Sequence, residues 1–164
     1  MTTQQSQAGF SLIEILIVTA IIGIVSAIAI PNLVSSRRAA NEASALATMR
    51  IIASSQATYR ATTGTGSYGS LANLRTAGLV DEVVGVSDVT AKSGYFFTTN
   101  QVVGPNFPAF DATAEPSIYS GITATGSRSF IINESGVIEY ALSATAPTCA
   151  PDNTRLITGG TPLN

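Results

Sequence analysis

The most apolar segment of the chain contains one carboxylate. Between Phe10 and Ile30 every side chain is uncharged except that of Glu14. A helix of these 21 residues would be about 32 Å long, which is close to the thickness of the hydrocarbon core of a bilayer. An ionised group within such a span costs roughly 2.5–3.5 kcal/mol at the helix centre and less near the interface. The run is therefore long enough to span a membrane, and the carboxylate of Glu14 within it needs an explanation.

The rest of the composition removes most enzyme classes. The 164 residues include no histidine, so His-dependent triads, the H-E-x-x-H zinc site and imidazole general bases are excluded. The segment GTGSYG at residues 64–69 has the glycine spacing of a dinucleotide-binding motif, but a predicted helix precedes it where that motif requires a strand. With a net charge of −2 and 11% charged residues, no basic surface for nucleic acid is expected. We predict a protein that is not an enzyme, uses no cofactor and has no nucleic acid as its main partner.

Two ordinary explanations of the amino terminus fit poorly. A secretory signal has a basic start, an apolar stretch of about 7–15 residues and a small-residue cleavage site, for which residues 27–29 (AIA) are a candidate. Residues 1–9 contain no Lys or Arg, however, and the apolar run is longer and includes Glu14. A plain membrane anchor fits the length of the run but leaves the carboxylate unexplained.

The same residues resemble the amino terminus of type IV prepilins and pseudopilins. The resemblance rests on a short polar leader ending in Gly9, on Phe10, on SLIE with Glu14 fifth after the glycine, and on about twenty apolar residues. In that family a membrane aspartyl peptidase cuts after the glycine and N-methylates the new terminal residue. The resemblance implies cleavage between Gly9 and Phe10 and methylation of Phe10, although family leaders usually contain basic residues and this one has none.

A role for Glu14 in subunit assembly also follows from the resemblance. Cleavage creates a cationic amine on Phe10, and in a helical array the Glu14 carboxylate of one subunit approaches the terminal amine of another. In a low-dielectric bundle a paired charge is tolerable, whereas an unpaired charge is strongly unfavourable. The resemblance therefore implies that Glu14 acts in subunit recruitment and register and not in catalysis.

Small residues and a proline further along the apolar helix bear on how neighbouring helices pack. Thr19, Gly23 and Ala27 recur at every fourth position and place small side chains on one face, although such residues are common in membrane helices in general. Pro31 lacks a backbone donor and is expected to kink or break a continuing helix, while Gly23 lowers helix propensity upstream. Related pili lose helical structure here in the filament, so the resemblance implies local melting from Gly23 to Pro31.

We predict an α+β pilin fold made of a leader at residues 1–9, a transmembrane and assembly helix at residues 10–30, and a head at residues 31–164. The helix is expected to continue to about residue 62 and to pack against a small antiparallel sheet of three or four strands. One face of its second half is polar and carries Arg37, Asn41, Ser44, Thr48 and Ser55. The face predicted to be buried carries Ala39, Ala43, Leu46, Ala53 and Ala57.

The head is predicted to begin with a short leucine-containing helix that ends at Gly78, whose lack of a Cβ suits a helix terminus. Apolar and aromatic residues predict strands at residues 94–100 and 128–142. Residues 133–136 are expected to form a hairpin turn within the second of these segments.

Residues 102–123 are rich in proline and glycine and are predicted to form a surface loop with a short strand at residues 118–122. Asp111 and Glu115 lie in this segment, but two isolated carboxylates are weak evidence for calcium, and no metal site is predicted. Cys149 is the single cysteine, so no intrachain disulfide can form. Packing or hydrogen bonding to the sheet must therefore hold the tail.

The function implied by the resemblance is that of a structural subunit of a type IV pilus. Pseudopilins of type II secretion systems and of DNA-uptake machines have the same amino-terminal signature and stay as alternatives. An alternative of another class is a membrane-anchored binding module that never polymerises and uses the segment at residues 102–119 as its ligand surface.

The resemblance also implies the partners and the location. The partners are further copies of this chain in a helical filament, the prepilin peptidase and N-methyltransferase, an inner-membrane assembly platform, and membrane lipid before assembly. The chain is expected in the inner membrane as a single-pass protein before assembly, and in a cell-surface pilus or periplasmic pseudopilus afterwards.

Overall fold

The computed structural model describes residues 9–103, 108–152 and 154–163, and the chain divides into two compact units, one up to Ser36 and one from Arg37 onward. The helices are α1 (Leu12–Ala61), α2 (Leu71–Thr76) and α3 (Glu82–Gly85). The strands in the described residues are β1 (Tyr95–Val103), β2 (Pro108–Pro116), β3 (Ser129–Asn133), β4 (Ile138–Ala141), β5 (Thr148–Cys149), β6 (Ile157–Thr158) and β7 (Thr161–Pro162). The predicted α+β fold, with a long amino-terminal helix and a small antiparallel sheet, is confirmed.

Helix α1 continues through Pro31, so the break expected there is not present. A proline at this position removes the hydrogen bond that its nitrogen would have donated to the carbonyl of Ala27. Helix formation is cooperative, and the turns on both sides keep their own hydrogen bonds, so the loss of one bond does not end the helix. The proline marks a weakened turn inside α1 and does not mark its end.

Five antiparallel strands form the main sheet of the head in the order β1-β2-β3-β4-β7, while β5 and β6 pair separately. The sheet contributes large apolar side chains to one hydrophobic core, including Phe97, Phe110 and Phe130. The second half of α1 contributes Met49 and Ile52 to the same core. The helix therefore covers one face of the sheet, and the sheet is larger than the three or four strands predicted.

Strand β2 lies where the sequence predicted a loop, and that prediction was wrong. Residues 108–116 pair with β1 along its whole length, whereas residues 118–122, predicted as a short strand, lie outside the strands of the described chain. Pro108 and Pro116 stand at the two ends of β2, where a missing N–H is tolerated. Between them Phe110, Ala112 and Ala114 join the hydrophobic core at every second position, which is the period of a strand with one face in the core, and Ala109 and Asp111 on the other face are also buried.

The other predicted elements are confirmed. Helix α2 begins with a capping box between Ser70 and Asn73, and Gly78 just beyond its end has a φ of +70°. Strands β3 and β4 form a hairpin whose turn is closed by the N–H of Gly136, which donates to the carbonyl of Asn133 at 3.0 Å. The glycine-rich residues 64–69 follow α1 directly, so they lack the preceding strand of a dinucleotide-binding motif.

The face of α1 that packs on the head combines part of the predicted polar stripe with the apolar residues Ala45, Met49 and Ile52, contrary to the sequence prediction. The buried residues are Glu42, Ala45, Thr48, Met49, Ile52, Ser55 and Gln56. The predicted apolar face is mostly in solvent, because Ala39, Ala43 and Ala57 are exposed, and Leu46 and Ala53 are only half-buried.

Loops of the head explain why polar side chains are buried along α1. The amide of Asn41 donates to the carbonyl of Thr125 at 2.9 Å, and the hydroxyl of Ser55 donates to the carbonyl of Leu79 at 2.9 Å. Loop carbonyls that are removed from water need donors, and burying a polar side chain carries little penalty when it supplies one. The polar stripe is therefore the surface to which the loops of the head bind.

An ion pair between the buried Glu42 and the half-buried Arg128 joins α1 to the start of β3. One oxygen of Glu42 accepts hydrogen bonds from the N–H of Ser127 at 2.9 Å and from its hydroxyl at 2.8 Å, and the other accepts from Nε of Arg128 at 2.8 Å. Burial alone would raise the pKa of Glu42, but the hydrogen bonds from Ser127 and Arg128 outweigh burial and hold that pKa below its ordinary value. Ionised Glu42 therefore stabilises the folded head at neutral pH.

Arg155 holds the tail of this head, which has no disulfide. Its guanidinium donates to both carboxylate oxygens of Glu134, at 2.8 and 3.1 Å, and to the carbonyls of Phe110 at 2.7 Å and Ala150 at 3.0 Å. The carboxylate of Asp111 lies 3.5 Å away. The residue is buried, and one side chain thus ties the segment around β5 and β6 to the ends of β2 and β3.

The two carboxylates considered for calcium are engaged elsewhere. Besides facing Arg155, Asp111 accepts a hydrogen bond from the amide of Asn100 at 3.0 Å. Glu115 accepts from the N–H of Ala146 at 2.8 Å. Within the ranges that the structure describes, no group of three or more His, Cys, Asp or Glu side chains is placed to hold a metal ion.

Replacing Glu42 with glutamine should lower the free energy of unfolding at pH 7 by about 1–3 kcal/mol, because Arg128 loses its charged acceptor. Since the folded pKa is lowered, this stabilisation is complete above the ordinary value of 4.5 and is lost as the pH falls through the folded pKa. The variant should therefore be less sensitive to acid below pH 4.5 than the wild type. Chemical unfolding of the full chain in detergent micelles at pH 7 and at acid pH checks both expectations.

Tyrosine near-ultraviolet circular dichroism reports the head in this measurement, because all five tyrosines follow Arg37. The control is Glu82→Gln, which alters an exposed carboxylate and should change stability by no more than about 0.5 kcal/mol. Equal losses for the two variants would contradict the assignment of Glu42.

Replacing Arg155 with leucine should destabilise the head by about 3 kcal/mol, since Asp111 and the carbonyls around it lose a buried charged donor. Arg155→Lys should recover little of this loss, because an ammonium cannot reproduce the two parallel bonds to Glu134. The contrasting variant is Cys149→Ser, whose free energy of unfolding should lie within about 1 kcal/mol of that of the wild type. A greater loss at Cys149 than at Arg155 in the same unfolding assay would show that the tail is held differently.

Candidate amino-terminal processing and assembly site

The predicted cleavage site immediately precedes α1. Gly9 and Phe10 lie outside regular secondary structure, α1 begins at Leu12, and Glu14 is in its first turn. The carbonyl of Ser11 accepts hydrogen bonds from the N–H groups of Glu14 at 3.1 Å and Ile15 at 3.3 Å. The bond between Gly9 and Phe10 therefore stands ahead of the first helical hydrogen bonds. Residues 1–8 of the predicted leader lie outside the described residues.

The described fold does not itself require glycine at position 9. A Cβ built on Gly9 would meet no described atom within 4 Å, and its backbone is not in the left-handed region. Close packing or a positive φ is the usual structural reason for a glycine. A requirement for glycine here would therefore come from a partner that binds this peptide bond closely.

The position of Glu14 in the first turn of α1 gives its carboxylate a favourable interaction within its own helix, which was not predicted from the sequence. The amino-terminal end of a helix carries a partial positive charge from its unpaired N–H groups, and a carboxylate in the first turn interacts favourably with it. The spacing of Ser11 and Glu14 matches the S-x-x-E pattern of helix starts, and this pattern could have predicted from the sequence that Glu14 lies in the first turn. Cleavage would add the Phe10 amine to the same positive end of the helix.

The apolar surface that follows Glu14 is uncovered. Phe10 is 81% exposed, and every side chain from there to Ile30 is exposed except that of Ser26, which is half-buried. By length and composition α1 is able to cross a membrane, and none of the apolar window that qualifies it is buried by the described chain. Covering each large aliphatic side chain is worth roughly 1.5–3 kcal/mol, so this surface favours an apolar environment over water.

The small residues of the first half of α1 share one face, as their spacing predicts. Thr19, Gly23 and Ala27 are all exposed, and a Cβ on Gly23 would meet no described atom within 4 Å. The hydroxyl of Thr19 donates to the carbonyl of Leu16 at 3.0 Å, so this polar group is satisfied within its own helix. Close approach of a neighbouring helix along this face, and local melting between Gly23 and Pro31, stay predictions about the assembled state.

Comparison with known proteins agrees with this geometry. The family model of the prokaryotic N-terminal methylation motif matches residues 4–30, which contain Gly9, Phe10, Glu14 and the apolar part of α1 up to Ile30. The searches of curated proteins and of solved structures gave no match. The motif match and the α+β fold together support a likeness of this chain to type IV prepilins and pseudopilins.

Proposed function

We propose that the chain is a structural subunit of a type IV pilus that is held in the inner membrane by residues 10–30 until it is assembled. The observation that carries this proposal is the uncovered apolar part of α1 with one carboxylate in its first turn, directly after the cleavage motif. Lipid covers this surface before assembly, and the equivalent helices of other subunits cover it in the filament.

Processing changes the charge at the start of α1 in the proposed mechanism. The prepilin peptidase hydrolyses the bond between Gly9 and Phe10, and the new amine of Phe10 is then methylated and stays cationic. The leader leaves, so the chain begins one residue before Ser11. The amine and the carboxylate of Glu14 then stand four positions apart at the same end of the helix.

The pairing of these two charges between subunits supplies the selectivity of assembly. A lone Glu14 in hydrocarbon is unfavourable, and a buried charge that loses its partner costs about 3–5 kcal/mol. A neighbouring subunit that brings its Phe10 amine to this carboxylate removes the cost, and only one axial offset between the helices allows the contact. Glu14 therefore selects both the incoming subunit and its register.

Pseudopilins of secretion or DNA-uptake machines are the nearest alternative to a pilus subunit, because the matched amino-terminal motif fits them equally well. The binding-module alternative used residues 102–119 as a ligand loop, but β2 takes Pro108–Pro116 of that segment into the sheet. The proposed role is that of a structural subunit, as in the prepilin family, and not that of an enzyme.

Processing at Gly9 is the first test of the proposal. Mass spectrometry of the mature chain should find Phe10 at the terminus with one added methyl group. Gly9→Leu should stay uncut, because a bulky side chain blocks close access to the bond, while Gly23→Leu should still be processed, since Gly23 lies away from the cut. A mature terminus at Ile30 would instead indicate ordinary signal cleavage after residues 27–29.

Replacing Glu14 with glutamine tests the assembly step, since it removes the charge and keeps the shape of the side chain. Cleavage and membrane insertion should be unchanged, whereas incorporation into filaments should fall by about 100-fold or more when wild-type and variant chains are co-expressed. Quantitative mass spectrometry of purified filaments measures the ratio, and Ile17→Val is the control. Equal incorporation of the glutamine variant and the wild type would rule out the proposed pairing.

A further inference from the structure

A loop of the head, residues 117–126, exposes apolar side chains on an uncharged segment. No Asp, Glu, Lys or Arg occurs between Glu115 and Arg128. Within the loop Ile118 and Tyr119 are exposed, and Ile122 is 78% exposed. These three large apolar side chains lie within five residues of one another in the chain, and their exposed surface is available to an apolar partner.

This loop is fastened to α1 near the start of the head. The guanidinium of Arg38 donates to the carbonyls of Gly121 at 2.5 Å and Ala124 at 3.2 Å, and the amide of Asn41 donates to the carbonyl of Thr125 at 2.9 Å. The loop also closes on itself, because the N–H of Thr125 donates to the carbonyl of Ile118 at 2.8 Å. The exposed apolar side chains are therefore presented by a loop with a defined anchorage.

Chain connectivity alone keeps this anchorage close to the membrane. Arg38 follows Ile30, the last residue of the apolar run, by eight positions. Eight residues span about 12 Å as a helix and at most about 28 Å when fully extended. Whatever the arrangement of the two units, the loop that Arg38 holds cannot be far from the surface of a bilayer that contains residues 10–30.

The chemistry of the loop fits the interfacial zone of a bilayer. Tyrosine is enriched where the hydrocarbon meets the head groups, and isoleucine side chains gain from the hydrocarbon itself. The guanidinium of Arg38 is engaged with loop carbonyls, but Arg37 is exposed, and a basic side chain near an anionic leaflet is worth about 1 kcal/mol. The absence of acidic residues in the loop removes repulsion from anionic lipid.

We propose that residues 117–126 form a membrane-docking loop that places Ile118, Tyr119 and Ile122 in the lipid interface before assembly. The inference rests on the proposed membrane-anchored state, and it adds a second lipid contact that belongs to the head. Docking holds the head against the bilayer, and this contact is given up when the subunit leaves the membrane for the filament.

A matched position for comparison lies at the other end of the head. Leu156 is 66% exposed and follows Arg155, which binds the carbonyl of Phe110. The ring of Phe110 packs on that of Tyr68 at 4.7 Å, and Tyr68 lies under Arg60 in the last turn of α1. Along α1, Arg60 is about 33 Å from Arg38. Leu156 is thus similarly apolar and exposed but far from the membrane-docking loop.

The test uses the full chain in vesicles of phosphatidylethanolamine and phosphatidylglycerol, with Cys149→Ser as background. An environment-sensitive fluorophore is attached in turn to Ile122→Cys, Leu156→Cys and Ile24→Cys, and its quenching by lipids with a nitroxide near the head group or deep in the acyl chain is measured. The fluorophore at position 122 should be quenched several-fold more by the shallow nitroxide than the one at position 156. The fluorophore at position 24 should respond to the deep nitroxide.

The position 24 measurement separates failure of the anchor from failure of the docking loop. If position 24 inserts and position 122 is quenched no more than position 156, the docking proposal is wrong while the proposed anchoring stands. If position 24 does not insert, the proposed membrane-anchored function itself fails. If the fluorophore at position 122 instead contacts a second copy of the chain, its emission will shift to the blue as protein density in the vesicles rises, without quenching by nitroxide lipid. This result would overturn lipid docking.

The Ile122→Asp substitution gives a further test in a chain that carries the fluorophore at Ile118→Cys. It should abolish quenching by the shallow nitroxide, while the tyrosine circular dichroism of the head stays unchanged.

Discussion

The carboxylate of Glu14 stands at the start of an apolar surface that the described part of the chain leaves uncovered, and this constraint shapes the rest of the molecule. In water the exposure of the uncovered side chains from Phe10 to Ile30 is unfavourable. In lipid the charge of the Glu14 carboxylate is unfavourable. The positive end of α1 reduces the second problem because Glu14 lies in the first turn. Full relief requires a cation in the same low-dielectric environment, and removal of the leader would create one four positions away. A single hydrolysis would therefore turn a membrane protein into a subunit ready for assembly.

In the proposed assembly the head has to keep its fold while this amino-terminal surface passes from lipid to other subunits. Its stability comes from polar contacts with loops and buried ion pairs as well as from the apolar core. Glu42 binds Ser127 and Arg128 at one end of the sheet, and Arg155 binds Glu134 and Phe110 at the other. The second of these clusters does for the tail what a disulfide would otherwise do, with no dependence on the redox state of the compartment. Burial raises the pKa of the Cys149 thiol, which further disfavours the reactive thiolate.

The amino-terminal motif and the apolar helix could be predicted from the sequence because their signals are local. The apolar run, Gly9, Phe10 and Glu14 stand at fixed offsets, and a continuous apolar segment needs no tertiary context to be recognised. Strand β2 was missed because Pro108 and Pro116 are loop signals in isolation, and only pairing with β1 shows that they cap a strand. The buried face of α1 was assigned wrongly because Asn41 and Ser55 look solvent-facing until the loop carbonyls that they bind are known. Contacts between subunits lie beyond any single chain, so the proposed partner of Glu14 rests on the family resemblance and on charge complementarity and not on the fold.

The carboxylate of Glu14 has two possible partners after cleavage. One is the Phe10 amine of another subunit, as proposed, and the other is the Phe10 amine four positions away in the same chain. Solid-state nuclear magnetic resonance on mixed filaments separates the two, when half of the subunits carry 15N-phenylalanine and half carry glutamate labelled with 13C at Cδ. Rotational-echo double-resonance dephasing between the Phe10 amine and the Glu14 carboxylate then reports only contacts between chains. Pairing between subunits predicts dephasing that corresponds to a charge-assisted hydrogen bond, with an amine-to-carboxylate-carbon distance of about 4 Å or less. Dephasing that is absent from the mixed filaments but present when both labels are in every chain would show that the charges pair within one subunit, and would contradict the claim.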